Sequence, residues 1–191
     1  MMIHNQAAKF ATGLVNKRII EEKSHDVYTY GFEVVISALI NALLMAIISI
    51  GFRRYYDWLL FLVAFIPLRR TAGGYHANSH FTCIMVGTVV FTTLLAISRV
   101  QLDWSIIIPL ITVMSFLVIL LFSPVEAHNK ILNEEQRKKN RMTSIYIGGA
   151  NLFLAVPTII NRGLSEILAI YFAGVFAAAL SMLVAKANNK M

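Results

Sequence analysis

Long apolar blocks separated by short polar stretches run through this 191-residue chain. Six blocks stand out, at about 33–52, 55–68, 81–98, 104–122, 144–160 and 164–185. None alternates apolar and polar residues with the period of two that a half-buried strand requires, so the pattern predicts helices throughout. A helix of about 20 residues, rising ~1.5 Å per residue, crosses a ~30 Å hydrocarbon core. The block at 55–68 reaches only ~21 Å, so it is expected to cross a locally thinned bilayer or to re-enter. Ahead of these, residues 5–22 place Ala7, Phe10, Ala11, Leu14 and Val15 on one arc, with Lys9, Asn16 and Lys17 elsewhere. That spacing predicts an amphipathic helix at the membrane interface, with an ordinary solvated helix as the alternative. Tyr55, Tyr56 and Trp58 form an expected interfacial aromatic cluster. The expected fold is an all-α polytopic membrane helical bundle of about six segments, one domain over residues 1–191.

Composition supports lipid as the solvent. The chain is 58% hydrophobic and only 14% charged, against about 25% charged in soluble domains. Residues 1–6 lack the charged-then-apolar layout of a cleaved signal peptide, so insertion is expected to rely on the later segments. A single cysteine excludes an internal disulfide and any site needing two thiolates. The net charge of +7 has no soluble basic domain to carry it, so nucleic acid is not the expected partner. With six crossings and a cytoplasmic N-terminus, only Arg53, Arg54, Arg99 and Arg162 of the 17 Lys and Arg residues fall outside. That positive-inside imbalance explains the charge and predicts a multi-pass cell-membrane protein.

The chemistry-bearing stretch is Arg69-Arg70-Thr71-Ala72-Gly73-Gly74-Tyr75-His76-Ala77-Asn78-Ser79-His80-Phe81-Thr82-Cys83, on the cytoplasmic side in this topology. Gly73-Gly74 breaks helical continuity. In one unbroken helix His76 and Cys83 would lie ~10.5 Å apart along the axis, too far for a hydrogen bond. The chain between them must therefore fold back, or a helix must start after His76, capped by Ser79 or Asn78. Cys83 near a positive helix end, with an imidazole close by, has the ingredients of an activated thiolate. Taken singly, Cys83 reads as a small apolar filler and His76 as an interfacial or capping histidine. A third reading is a zinc site built on His76, His80 and Cys83, although no Glu between the histidines supplies the usual zinc-peptidase base. A second polar stretch follows Pro124. Glu126 and Asn129 share the membrane face of His76, and they and Arg70 are candidates to orient its ring or polarise a carbonyl. Lys130, Lys138, Lys139 and Arg141 are candidates to guide an acidic peptide, against the plainer reading of a solvated positive-inside loop.

At Arg70, the Gly73-Gly74-Tyr75-His76-Ala77 run and Cys83, reinforced by Pro124-Val125-Glu126 and Asn129-Lys130, the sequence resembles the accessory gene regulator B (AgrB) family. The resemblance implies a membrane cysteine endopeptidase of peptide quorum sensing, with Cys83 as nucleophile and His76 as base. It implies an AgrD-type propeptide with an acidic C-terminal tail as substrate and a homodimer as the working form; no cofactor or metal is expected. The implied product is a thiolactone or lactone ring, formed through a thioester acyl-enzyme. The competing class is a small non-enzymatic transporter of a peptide or other solute. Transporters place polar groups at the membrane midplane, where this chain holds few, such as Asn41, Thr88 and Ser115. A membrane scaffold is a further class, with no positive feature in its favour.

Overall fold

Each apolar block becomes one helix. The computed structural model describes residues 2–75, 79–100, 102–125 and 133–188. Their order is α1 (Met2–Asn16), a 3₁₀ turn (Glu22–Ser24), α2 (His25–Gly51), α3 (Asp57–Ala72), α4 (His80–Ile97), α5 (Trp104–Phe122), α6 (Glu134–Ile160) and α7 (Arg162–Asn188). No strand occurs among the described residues. Four helices, α2, α5, α6 and α7, are long and apolar enough to cross a membrane, and α4 adds a shorter apolar stretch, Phe81–Ile97. The chain is a helical membrane protein, as its patterning predicts.

Helix α3 settles how the short second block runs. Its start lies near the connectors that carry Arg54, Ser98, Asp103 and Arg162, which line one cleft. Its end at Ala72 meets Val125, just after α5. It therefore passes from one end of the bundle to the other instead of turning back.

The α3–α7 crossing organises the bundle. Lipid offers no hydrophobic drive for helix association, so close contact depends on small residues that let backbones approach. Helix α7 supplies Ala169, Ala173, Gly174, Ala177 and Ala178, all buried. A Cβ on Gly174 would stand 2.8 Å from the Phe61 carbonyl oxygen and 3.1 Å from the Ala64 Cβ. Gly148 plays the same part between α6 and α5, where a Cβ would meet Phe116 at 2.7 Å. On the α2 and α4 side, Phe61 and Phe91 meet edge-on with ring centres 5.1 Å apart. There Thr88 Oγ1 donates to Asn41 Oδ1 at 3.1 Å.

Burial runs opposite to that of a soluble protein. Leu39, Leu43, Val89, Leu110 and Phe153 are exposed, whereas Ser49, Thr112, Ser115, Ser144 and Thr158 are buried. Thr112 and Thr158 donate to carbonyls of their own helices, at 2.7 and 2.6 Å, which satisfies the hydroxyls without water.

Two elements differ from the sequence expectation: α1 spans Met2–Asn16 and not residues 5–22, and α6 starts early. Helix α1 is amphipathic, but its small side is covered by α2: Ala7 and Ala11 are fully buried. His4 Nδ1 meets Glu33 at 2.5 Å and Thr12 meets His25 at 3.2 Å, so α1 runs antiparallel to the start of α2. Helix α6 begins at Glu134, ten residues before the apolar block. The reason is local: Asn133 and Gln136 form a reciprocal capping box, and Glu134 and Glu135 favour the positive helix end.

Gly174→Leu is expected to force α3 off α7, an overpacking cost of about 1–3 kcal/mol. Thermal unfolding in detergent should show a midpoint lowered by several degrees, with a smaller drop for Gly174→Ala.

Candidate active site

The two polar stretches singled out in the sequence are joined by backbone hydrogen bonds. Val125 N–H donates to the Ala72 carbonyl at 2.9 Å, and Gly73 and Val125 form a parallel bridge. Gly73 has φ +80°, where L side chains are strained, and a Cβ there would strike the Val125 carbonyl. The segment after α3 is thereby fastened to the segment after α5.

Tyr75 is held from both sides. Its N–H donates to the Ser181 carbonyl of α7 at 2.9 Å. Its own carbonyl accepts a hydrogen bond from Arg69 Nη2. Gly74, at φ +139°, makes this possible, because a Cβ would collide with Arg69 Nη1 and Ser181 Oγ. The guanidinium occupies the space that a side chain at position 74 would need.

Arg69 follows Leu68, where the apolar stretch of α3 ends, and it is the functional candidate that sequence reasoning passed over. Its Nη1 is buried with no hydrogen-bond partner among the described residues. Burial disfavours its charge, and Cys83 is near enough to act on it electrostatically. Arg70, the arginine expected from the sequence to take part, is exposed. Helical phase separates the two. Phe61, Phe65 and Arg69 follow one another at i, i+4 toward the packed side, whereas Val63, Ile66 and Arg70 follow the exposed side. The buried set Phe61, Ala64, Leu68 and Ala72 would have given that phase, had the small residues been taken as the packing face.

Cys83 lies in the first turn of α4, exposed. Ser79 caps that helix as one of the two expected caps: its Oγ accepts from Thr82 N–H at 3.1 Å and lies 2.8 Å from Thr82 Oγ1. The helix starts after position 76, as an approach of His76 to Cys83 demands. The first turn carries no acidic residue, so the positive helix end is open to an anion. His76 lies outside the described residues, as do Glu126, Asn129 and Lys130. Among the described residues no three His, Cys, Asp or Glu side chains converge as a metal site, and the His76-His80-Cys83 stretch includes a residue outside them.

Lys138, Lys139 and Arg141 are exposed on the first turns of α6, a helix and not the loop expected there. Lys138 and Arg141, three residues apart, share one side of it. At the same end of the bundle Lys186 Nζ lies 3.9 Å from the centre of the Phe122 ring. Ser123 and Ser144 meet through their hydroxyls, which ties the end of α5 to α6.

Comparison with known proteins gives a consistent result. A protein of Clostridium perfringens strain SM101 named as AgrB-like is 25% identical over 160 residues, covering 77% of this chain and 75% of its own. A second AgrB-like protein, from C. perfringens strain 13, is 23% identical over 167 residues, 83% and 78% of the two chains. The accessory gene regulator protein B of Staphylococcus carnosus strain TM300 is 25% identical over 126 residues, 65% of each chain. No solved structure matches the chain. The sequence profile described as Accessory gene regulator B matches residues 7–184. The chain thus belongs to the accessory gene regulator B family of membrane proteins, which act in quorum-sensing regulation.

Proposed function

We propose that the chain is a membrane cysteine endopeptidase that removes the acidic C-terminal tail of an AgrD-type propeptide and closes the remainder into a ring. The observation that carries this is the placing of Cys83. It stands in the first turn of a capped helix, within electrostatic reach of the half-buried Arg69 guanidinium that also holds the carbonyl of Tyr75, the residue before His76.

The Cys83 thiolate attacks the carbonyl just before the tail. The C–N bond breaks, the tail's amine leaves with a proton from the His76 imidazolium, and a thioester joins Cys83 to the peptide. The peptide's own cysteine or serine, losing its proton to His76, then attacks the thioester carbonyl. A thiolactone or lactone forms and the Cys83 thiolate is restored. Water must be kept from the thioester, or a linear acid results; a site at the lipid boundary suits that need. Arg69 acts as a positioning residue: it holds the Tyr75 carbonyl and carries a cation that acts electrostatically on Cys83. Glu126 and Asn129 are proposed to orient the imidazole or polarise the substrate carbonyl. Lys130, Lys138, Lys139 and Arg141 hold the acidic tail. The Cys83 end of the bundle is cytoplasmic, since the opposite connectors carry only Arg53, Arg54, Arg99 and Arg162. Family membership supports a homodimer as the working form.

Co-expression with a candidate propeptide, followed by mass spectrometry, tests the assignment. Cys83→Ala is expected to abolish tail removal and His76→Ala to slow it by about 10²–10⁴-fold, both at unchanged protein levels. A transporter would leave processing intact in both variants and change only where the peptide appears.

Arg69→Gln is expected to slow cleavage at least about tenfold through loss of charge-assisted contacts, whereas Arg70→Gln stays near the wild-type rate. Equal effects of the two would remove Arg69 from its positioning role. Replacing Lys138, Lys139 and Arg141 together by Gln should raise KM for the tailed peptide with little change in kcat, and the difference should shrink as salt is added.

A further inference from the structure

At the end of the bundle away from Cys83 lies a cleft of about 490 Å³ with a different chemistry. Helix α4 alone, from Cys83 to Ser98, separates the two by about 22 Å. Arg54, Arg99 and Arg162 line the cleft, facing Asp103 and Glu166, with Trp104 at its wall. Arg54 is already paired with Asp57 behind the lining, so the three guanidiniums stand against three carboxylates in all.

The arginines retain much of their donor capacity. Arg54 bonds Asp57 through Nε at 2.8 Å. Arg99 donates from Nη1 to the Phe52 carbonyl at 3.3 Å and lies 5.8 Å from the Phe52 ring centre. Arg162 stands 3.7 Å from Asp103, with its side chain 81% exposed. Each guanidinium carries five N–H groups, so the terminal nitrogens left over can grip the oxygens of a phosphodiester. Asp103 is already committed. One of its oxygens takes the Ser105 N–H at 3.2 Å and the Ser105 hydroxyl, and these bonds, with help from Arg162, hold its carboxyl below the usual range against a smaller burial effect. It remains an anion that accepts and does not donate.

The rim of the cleft is apolar and open. Val100 and Leu102, both in its lining, are 53% and 44% exposed, and Ile97, Ile106 and Ile160 are exposed nearby. Tyr55 and Tyr56, also exposed, follow Arg54 in the chain and mark an interfacial level. A soluble anion would have no use for such a shelf, whereas acyl chains would lie on it.

We propose that this cleft binds the headgroup of an anionic glycerophospholipid of the phosphatidylglycerol type. The phosphodiester sits on Arg54, Arg99 and Arg162, and the glycerol hydroxyls donate to Glu166 and to the Asp103 oxygen that Ser105 does not bond.

The full-length chain in detergent, titrated with defined lipids and followed by native mass spectrometry, tests the site. Phosphatidylglycerol is expected to bind about tenfold or more tightly than phosphatidylcholine, whose headgroup has no donor. The Arg99→Gln/Arg162→Gln double variant should lose that preference. Glu166→Gln, which removes a negative charge, should bind the anionic lipid at least as tightly; this opposite direction separates a headgroup site from a variant that merely fails to fold. Equal binding of the two lipids, or an unchanged preference in the double variant, overturns the proposal. Displacement of the lipid by glycerol 1-phosphate at equal concentration would assign the cleft to a soluble phosphate instead and would equally overturn it. Peptide cleavage is not read in this experiment, so its outcome stands apart from that of the peptidase assignment.

Discussion

Backbone that leaves a helix at the edge of a membrane must still satisfy its polar groups, because lipid offers no partners. Residues 72–75 meet that demand with three bonds: Ala72 carbonyl to Val125 N–H, Tyr75 N–H to the Ser181 carbonyl, and Tyr75 carbonyl to Arg69. These bonds join the ends of α3, α5 and α7 at one point. They hold the chain in the non-helical path that lets α4 restart at Ser79 with Cys83 in its first turn. Two glycines at positive φ make the path possible, and each leaves a space that a neighbour fills: the Val125 backbone beside Gly73, the Arg69 guanidinium beside Gly74.

The same point links packing to chemistry. Arg69 can reach Tyr75 only because α3 lies close on α7, and α3 lies close because Gly174 and a series of alanines face it. Burying a guanidinium at such a place is costly unless its donors are used. One nitrogen is used by Tyr75, while another is buried without a partner among the described residues. A cation acting on a sulfur favours its thiolate form.

The two ends of the bundle divide the polar chemistry. One carries the cysteine, the pinned loop and the basic start of α6; the other carries the arginine cleft. Between them the polar side chains of the described residues are small and mostly bonded to their own helices.

The helices were legible in the sequence because lipid imposes long uninterrupted apolar runs, and a run of that length has one structural solution. The boundaries of α5 at Trp104 and Phe122 and the Ser79 cap follow from residues a few positions apart. The early start of α6 was local too, written in Asn133 and Gln136, but hydropathy is blind to a polar helix. Which arginine turns inward was not legible, since Arg69 and Arg70 differ only in phase on a helix that is apolar nearly all round. The bonds from Tyr75 to Ser181 and from Ala72 to Val125 join residues far apart in the chain. The cleft of Arg54, Arg99 and Arg162 likewise gathers three separate connectors. Only the packing of α3 against α7 and the return of each helix to a common end decided those meetings, because no local pattern encodes the distance between segments that the chain itself separates.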